Sequence, residues 1–401
     1  MSPRVGMAAR SAAAALVFVC LAGPRAVRAD DQDFGACLAS LRSAALLQEV
    51  SATTFDSVAA RLTPNDAATF LDLQPEFTTP IWDYLAGLVD AERISDGLNA
   101  MRRWDSVLRP VQARFGVDKA TIAAVWGVES NYGREFGKRP VLQSLATLSC
   151  AGRRQDYFRT EFIDALRIVD RGEVGPDHFF GSWAGAFGHT QFMPSTFLRF
   201  AVDMDGNGRP DIVDSIPDAL GSTANYLRQA GWVPGLPWGF EVRVPAAYSG
   251  PTGRRAKASM ATWAKRGLRR MNGGSLGSGQ AGLIQPAGAD GPAFLVTSNF
   301  DVLHVYNSSE AYALAISLLS DRLRGRPDIV AAWPTDDPGL SRAERRELQS
   351  LLVRRGYDLG DADGVMGNKT HAAIMDFQAR VGLTPDGRAA ASVLAALRAG
   401  R

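Results

Sequence analysis

At 401 residues the chain is too long for one ordinary domain, and two or three are expected. With 46% apolar residues and no long charged or low-complexity tract, it has the composition of a globular protein. A formal net charge of +2 gives no electrostatic ground for a nucleic-acid or membrane-surface partner.

Arg4 and Arg10 precede an apolar run from Ala12 to Ala22 and a small-residue exit, Val27-Arg28-Ala29. This is the order of a secretory signal peptide over residues 1–29. The run is too short to span a bilayer and no later run is longer, so no integral membrane segment is expected. Cys20 follows the bulky Val17-Phe18-Val19, where a lipid-attachment site wants small residues. The expectation is an exported, soluble chain beginning near Asp30; the alternative is an N-terminal core helix. Export leaves Cys37 and Cys150, a candidate disulfide in an oxidising compartment or else two separate buried thiols. No Cys/His cluster has metal-ligand spacing.

From Phe34 to about Ile168 apolar residues recur at three- and four-residue spacing, a helical pattern traced by Leu38, Leu41, Ala45 and Leu46. Between residues 233 and 300 the texture changes: alternation in Phe240-Glu241-Val242-Arg243-Val244 and a Gly-rich run from Gly273 to Gly282 predict a small strand-containing insertion. Helical periodicity returns from Ser309 to Leu323. Residues 333–340, twice interrupted by proline, read as an interdomain linker. Beyond it, residues 341–401 form a module of about sixty residues, near the lower limit for independent stability. Leu348, Leu351 and Leu352 mark one of its helices, Ala373, Ile374, Phe377 and Val381 another, and two Asp-Gly turns punctuate it.

The strongest local signal is Val125-Trp126-Gly127-Val128-Glu129-Ser130-Asn131-Tyr132-Gly133. With Asp118 as N-cap and Gly133 just past the end, a helix is predicted over 119–131. Ile122, Val125, Trp126 and Glu129 share one of its faces. A carboxylate ending an apolar face beside an aromatic loses hydration and holds its proton more tightly, as a general acid for glycosidic oxygen must. A carboxylate that caps or salt-bridges inside a helical core is the other reading. Gly185-Ala186-Phe187-Gly188-His189-Thr190-Gln191-Phe192-Met193-Pro194-Ser195 combines glycines, aromatics and an amide, residues suited to stacking sugar rings and binding acetamido groups. A packed loop-to-helix junction is the alternative there. Tyr306-Asn307 with Tyr312 has the same character, and Arg153-Arg154 with Tyr157 suits carboxylates on peptide stems.

These three ordered motifs resemble the membrane-bound lytic transglycosylase B family. Glu129-Ser130-Asn131-Tyr132-Gly133 is similar to its Glu-Ser-x-Tyr-Gly signature, the segment from Gly188 to Ser195 to its second motif, and Tyr306-Asn307 with Tyr312 to its third. The resemblance spans about residues 34–323. It implies a mainly α (α+β) protein: a lysozyme-like helical catalytic domain over 30–332 with a small strand-containing insertion. It implies lytic cleavage of the MurNAc-GlcNAc β-1,4 bond of peptidoglycan, leaving 1,6-anhydro-MurNAc ends, with Glu129 as the single acid/base. It puts Ser130, Tyr132, Arg153, Arg154, Tyr157, Phe187, Gln191, Phe192, Tyr306, Asn307 and Tyr312 on the substrate. The lipid-anchor cysteine of some members is missing, so the expected location is periplasmic and soluble. A lysozyme-type hydrolase and a non-catalytic wall-binding scaffold are the rivals.

Within Asp203-Met204-Asp205-Gly206-Asn207-Gly208-Arg209-Pro210-Asp211-Ile212-Val213-Asp214, oxygens fall at calcium-loop positions on Asp203, Asp205, Asn207, Asp211 and Asp214, with the Arg209 carbonyl between. Asp214 stands where glutamate is usual. A structural calcium ion is expected, against a simple Asp/Gly-rich turn; no cofactor is expected for catalysis. The tail resembles the peptidoglycan-binding domain 1 family of three-helix modules through Leu348-Gln349, Gly356-Tyr357, Asp363-Gly364, Phe377-Gln378 and Asp386-Gly387. That implies anchorage on glycan strands; packing on the catalytic domain alone is the alternative.

Overall fold

A computed structural model of the chain describes residues 29–71 and 79–400. The expected signal peptide, up to residue 28, lies outside the described residues.

Sixteen α-helices and two small sheets are found among the described residues. In the first half these are α1 (Ala29–Leu47), α2 (Ala52–Ala59), α3 (Ile81–Leu88), α4 (Ala91–Arg103), α5 (Asp105–Phe115), α6 (Lys119–Ser130), α7 (Val141–Cys150) and α8 (Gln155–Asp170). There follow α9 (Pro194–Phe200), α10 (Ile216–Gln229), α11 (Met260–Lys265), α12 (Ser298–Asn307) and α13 (Glu310–Leu323). The C-terminal module holds α14 (Arg342–Arg354), α15 (Asn368–Val381) and α16 (Ala391–Arg398). No helix is long and apolar enough to cross a membrane among the described residues.

The centre of the larger, N-terminal part is α6 packed on α13. Both are apolar nearly all round, as fully enclosed helices are: α6 is buried from Ala120 to Gly127 and α13 from Tyr312 to Ser320. They run antiparallel. Arg324, just past α13, reaches Asp118 at the start of α6 (2.7 Å), while Tyr312 at the start of α13 meets Glu129 at the end of α6. A second apolar cluster joins α1, α2, α7 and α8 through Leu41, Phe55, Leu145 and Phe162. A disulfide between Cys37 and Cys150 ties α1 to the end of α7 across 113 residues. Closing so long a loop stabilises the fold by about 4–5 kcal/mol through the unfolded chain.

The insertion is an antiparallel five-stranded sheet made of β3 (Gly239–Arg243), β4 (Ala258–Ser259), β5 (Arg269–Arg270), β6 (Gln280–Ile284) and β7 (Ala293–Val296), in the order β4-β6-β7-β3-β5; a separate pair joins β1 (Arg139–Pro140) to β2 (Phe180–Gly181). Phe240 and Leu283 both stand opposite Leu295, and Trp263 of α11 plugs the sheet's own small core. A cavity of about 410 Å³ opens between this sheet and the far end of α13, beside Trp238, Phe240, Arg270 and Arg322. It contains none of the catalytic, substrate-binding or metal-binding residues expected from the sequence.

The module at 341–398 has its own core of Leu348, Leu352, Ile374, Phe377, Val393 and Leu397. One device occurs twice in it. Buried Gln349 accepts from the Gly364 N–H (2.7 Å) and donates to Asp363, and buried Gln378 accepts from the Gly387 N–H (2.8 Å) and donates to Asp386. Each helix thereby fixes an Asp-Gly turn whose glycine is left-handed (φ 85° and 72°). Residues 333–340, read from sequence as a linker, are closely held. Leu340 is buried, Asp337 accepts from Arg388 and from the Ser392 N–H (2.8 Å), and Gly339 lies against Asp83. The module itself is docked by arginines: Arg388 on Asp83, Arg345 on the Asp83 carbonyl, Arg346 on Glu92 and Arg342 on Asp90.

Candidate active site

Asp118 accepts from the N–H groups of Ala120 (2.9 Å) and Thr121 (3.2 Å), starting α6 as its N-cap. The helix ends at Ser130, one residue before the sequence-based boundary, because Asn131 (φ 50°) and Tyr132 (φ 58°) are both left-handed. Two consecutive non-glycine residues there cost about 1–3 kcal/mol each and persist only under support from outside. Tyr132 is held in a slot: its hydroxyl donates to the Arg93 carbonyl (2.9 Å) and its ring sits edge-on to Trp126. A Cβ at Gly127 would lie 2.5 Å from that ring, so the slot exists only with glycine.

The strained turn leaves Glu129 half-buried at the end of the buried helix, with its Oε1 accepting from the Tyr312 hydroxyl. Tyr306 stacks on Tyr312 (6.0 Å between centroids) and donates to the Thr190 carbonyl (2.7 Å). Burial first, and then the Glu129 charge, push both phenols well above their ordinary range. They stay protonated, and Tyr312 remains a donor to Glu129 Oε1. Whenever Glu129 is ionised, a hydrogen bond of this kind to a charged acceptor is worth about 1.5–3 kcal/mol.

The loop from Gly185 to Ser195 is fastened to the same end of α6 by His189, to which the sequence reading had given no role. Its Nδ1 accepts from Trp126 Nε1 (3.1 Å), its carbonyl accepts from Ser130 Oγ (2.6 Å), and its ring meets Phe136 edge-on. Burial lowers its pKa to about 4, partly offset by Asp211, so the imidazole is neutral near pH 7. Gly133 (φ 83°) must lack a Cβ, which would lie 2.5 Å from this ring. Glu161, likewise unanticipated, anchors the other end of the loop by accepting from Ser195 N (2.9 Å) and Ser195 Oγ (2.7 Å). Desolvation raises its pKa.

Several expected substrate contacts are corrected by burial. Phe187 is fully enclosed between Phe179 and Phe197, and Phe192 is enclosed against Tyr226 and Tyr306. Neither ring face is available to a sugar; both brace the loop from below. Ser130 and Tyr132 are buried too, and their hydroxyls are spent on His189 and Arg93. Gln191 is half-buried, with its amide nitrogen donating to the Phe136 (3.1 Å) and Gly188 (2.9 Å) carbonyls. Asn307 is exposed at the end of α12. At the start of α8, Arg153 donates to the Leu71 carbonyl, and Arg154 lies 4.5 Å over the ring of Tyr157, which interacts with Glu161. Two other carboxylates of this region stand apart from Glu129: Glu135 is exposed and accepts from Asn131 (3.2 Å), and Asp156 is exposed in the first turn of α8.

In the acidic loop the carboxylates that converge are Asp203, Asp205 and Asp218, with oxygens within 4.8 Å of one another. Asp214, expected to close the ring, is exposed and outside this group. The loop continues past the twelve-residue spacing, and Asp218, in the first turn of α10, folds back to accept from Met204, Asp205 and Asp211 N–H groups. Asp211 is used locally, accepting from Val213 and Asp214 N–H groups and pairing with Arg209. Asp203 is held below its ordinary range by the Gly208, Gly206 and Asn207 N–H groups. Three carboxylates converging on one point fit a hard divalent cation with oxygen preference.

A mostly helical, lysozyme-like frame presenting one half-buried glutamate beside a braced loop defines a glycan-cleaving class of protein. Residues 33–321 match the transglycosylase SLT domain and residues 341–397 a putative peptidoglycan binding domain, and the chain belongs to the family that the first of these defines. It is 33% identical over 279 residues to membrane-bound lytic murein transglycosylase B of Escherichia coli (strain K12), covering 67% of this chain and 75% of that one. It is similar to SltB3 from Pseudomonas aeruginosa, solved in complex with NAG-NAM-pentapeptide, at 43% identity and TM-score 0.73, over 92% of this chain and 100% of the other. Slt35 of Escherichia coli, solved in complex with calcium, shares 27% identity at TM-score 0.64, over 74% of this chain and 94% of that one.

Proposed function

We propose that this chain cuts the β-1,4 bond between MurNAc and GlcNAc in peptidoglycan by lytic transglycosylation, with Glu129 as its single acid/base. The observation that carries this reading is Glu129 at the end of the buried α6, oriented by the neutral hydroxyl of Tyr312. Glu129 first gives its proton to the glycosidic oxygen as that bond breaks at the muramyl C1. The resulting carboxylate then takes the proton of the same sugar's C6 hydroxyl, whose oxygen bonds to C1. One bond breaks, one forms, Glu129 regains its proton and no water is consumed. Holding the nucleophile inside the substrate replaces a bound water and a second carboxylate.

The 341–398 module supplies a second grip on the wall and raises the effective concentration of glycan at the site. Residues 30–332 form the catalytic unit, and the leader at 1–29 directs the chain to the periplasm. Asp203, Asp205 and Asp218, with the Asn207 side chain and the Arg209 carbonyl, would hold a calcium ion. Such an ion would neutralise clustered charge between α9 and α10 and take no part in the chemistry. Digestion of purified sacculi by the native chain and by Glu129→Gln tests the assignment: the variant is expected to release no muropeptides while folding normally.

A further inference from the structure

Arg342 is the first residue of the C-terminal module's leading helix, yet it is buried at 8% exposure against the catalytic part. Its Nε donates to Asp90 (2.9 Å), and its Nη1 donates to the side-chain oxygen of Asn131 (2.5 Å). Asn131 is the first of the two strained left-handed residues that end α6, two positions after Glu129. Asp90 in turn caps α4 by accepting from the Arg93 N–H (2.7 Å), and the buried Arg93 guanidinium donates to the Gly127 carbonyl, two positions before Glu129. One connected set of charged and polar groups therefore grips α6 on both sides of the glutamate, and its outer member belongs to the other module. A further hold on the turn, Tyr132 on the Arg93 carbonyl, depends on the same α4 segment.

We propose that Arg342 is a positioning residue for Glu129: by fixing Asn131 it sets where the catalytic helix ends, which makes the peptidoglycan-binding module part of the active site as well as an anchor. This rests on the assignment of Glu129 as the acid/base. The bidentate reach is particular to arginine. A lysine retains the charge for Asp90 but cannot span both Asp90 and Asn131. A carboxylate displaced by a fraction of an ångström from the glycosidic oxygen loses proton-transfer efficiency in every turnover, whatever the affinity for glycan.

The test is steady-state kinetics of the full-length chain on a short soluble glycan of two GlcNAc-MurNAc repeats. Arg342→Ala, Arg342→Lys and Asn131→Gly are compared with native, and Glu129→Gln is run alongside. Asn131→Gly tolerates the left-handed backbone and removes the acceptor for Arg342 together with a donor to the exposed Glu135. Each of the three is expected to lower kcat by about tenfold or more with KM changed by less than about twofold. The Arg342→Ala/Asn131→Gly double variant is expected to be no worse than either single one. Sacculus binding, read in the Glu129→Gln background, is expected to be unchanged by Arg342→Lys. If Arg342→Lys and Asn131→Gly fold and keep native kcat, the positioning role is wrong while Glu129 stands. Fully additive losses also overturn it. If Glu129→Gln keeps native activity, the acid/base assignment fails and takes this inference with it.

Discussion

The neutral imidazole of His189 makes the stability of the catalytic domain depend on pH in a calculable way. In the unfolded chain a histidine titrates near 6.5; in the fold, burial lowers His189 to about 4. Between those values the unfolded state binds the extra proton and the native state does not, so stability rises with pH across the window. The contribution is fully present above about pH 6.5 and is lost as pH falls toward 4, in total about 3 kcal/mol. The assay is urea unfolding of the native chain and of His189→Gln at half-unit steps from pH 4 to 7.5. Glutamine cannot titrate, and its side-chain oxygen can still accept from Trp126. The difference between the two proteins isolates the histidine from Glu161 and Asp164, whose raised values give slopes of opposite sign. The native chain should lose roughly 3 kcal/mol more than the variant over the window. Parallel curves would mean that His189 is not held neutral, and the fastening of the 185–195 loop to α6 would need another explanation.

Tyr312→Phe keeps the stacking on Tyr306 but removes the donor to Glu129; kcat should fall about ten- to a hundredfold with little change in Tm, and a kcat within twofold of native would deny the hydroxyl its orienting role. Replacing Cys37 and Cys150 by serine should cost about 4–5 kcal/mol in denaturant unfolding, and a loss below about 1 kcal/mol would show that the unfolded chain is already compact there. Added calcium should raise Tm by several degrees in the native chain and in Asp214→Asn but not in Asp205→Asn; an equal response in all three would remove the ion from this loop.

Much of the catalytic helix was legible because its signals are local: an Asp N-cap, a continuous apolar stretch and glycines placed where the chain turns. With Cys20 assigned to the expected leader, Cys37 and Cys150 are the one possible pair, but separate thiols were also compatible with the sequence, and the bond itself is shown by the fold. What the sequence left hidden depends on distant partners. Whether Phe187 and Phe192 face glycan or core is decided by Phe179, Phe197 and Tyr226, none of which the motif contains. The predicted helix is one residue too long because the sequence marks only Gly133 as a residue suited to a left-handed φ. Asn131 holds one with help from Arg342, 211 residues away. The calcium-loop template fixed attention on Asp214, whereas Asp218 reaches the carboxylate cluster from the following helix. His189 and Glu161 gave no periodic or spacing signal, being single polar residues whose roles arise only when two helices and a loop meet.

The central claim is that Glu129 alone performs both proton transfers and that no water enters the reaction. It is tested most directly by mass analysis of the muropeptides that the mature chain releases from purified sacculi. Products lighter by one water than the reducing muropeptides, absent with a folded Glu129→Gln variant, are what the account predicts. Reducing products of full mass would contradict it and require a second carboxylate to activate water.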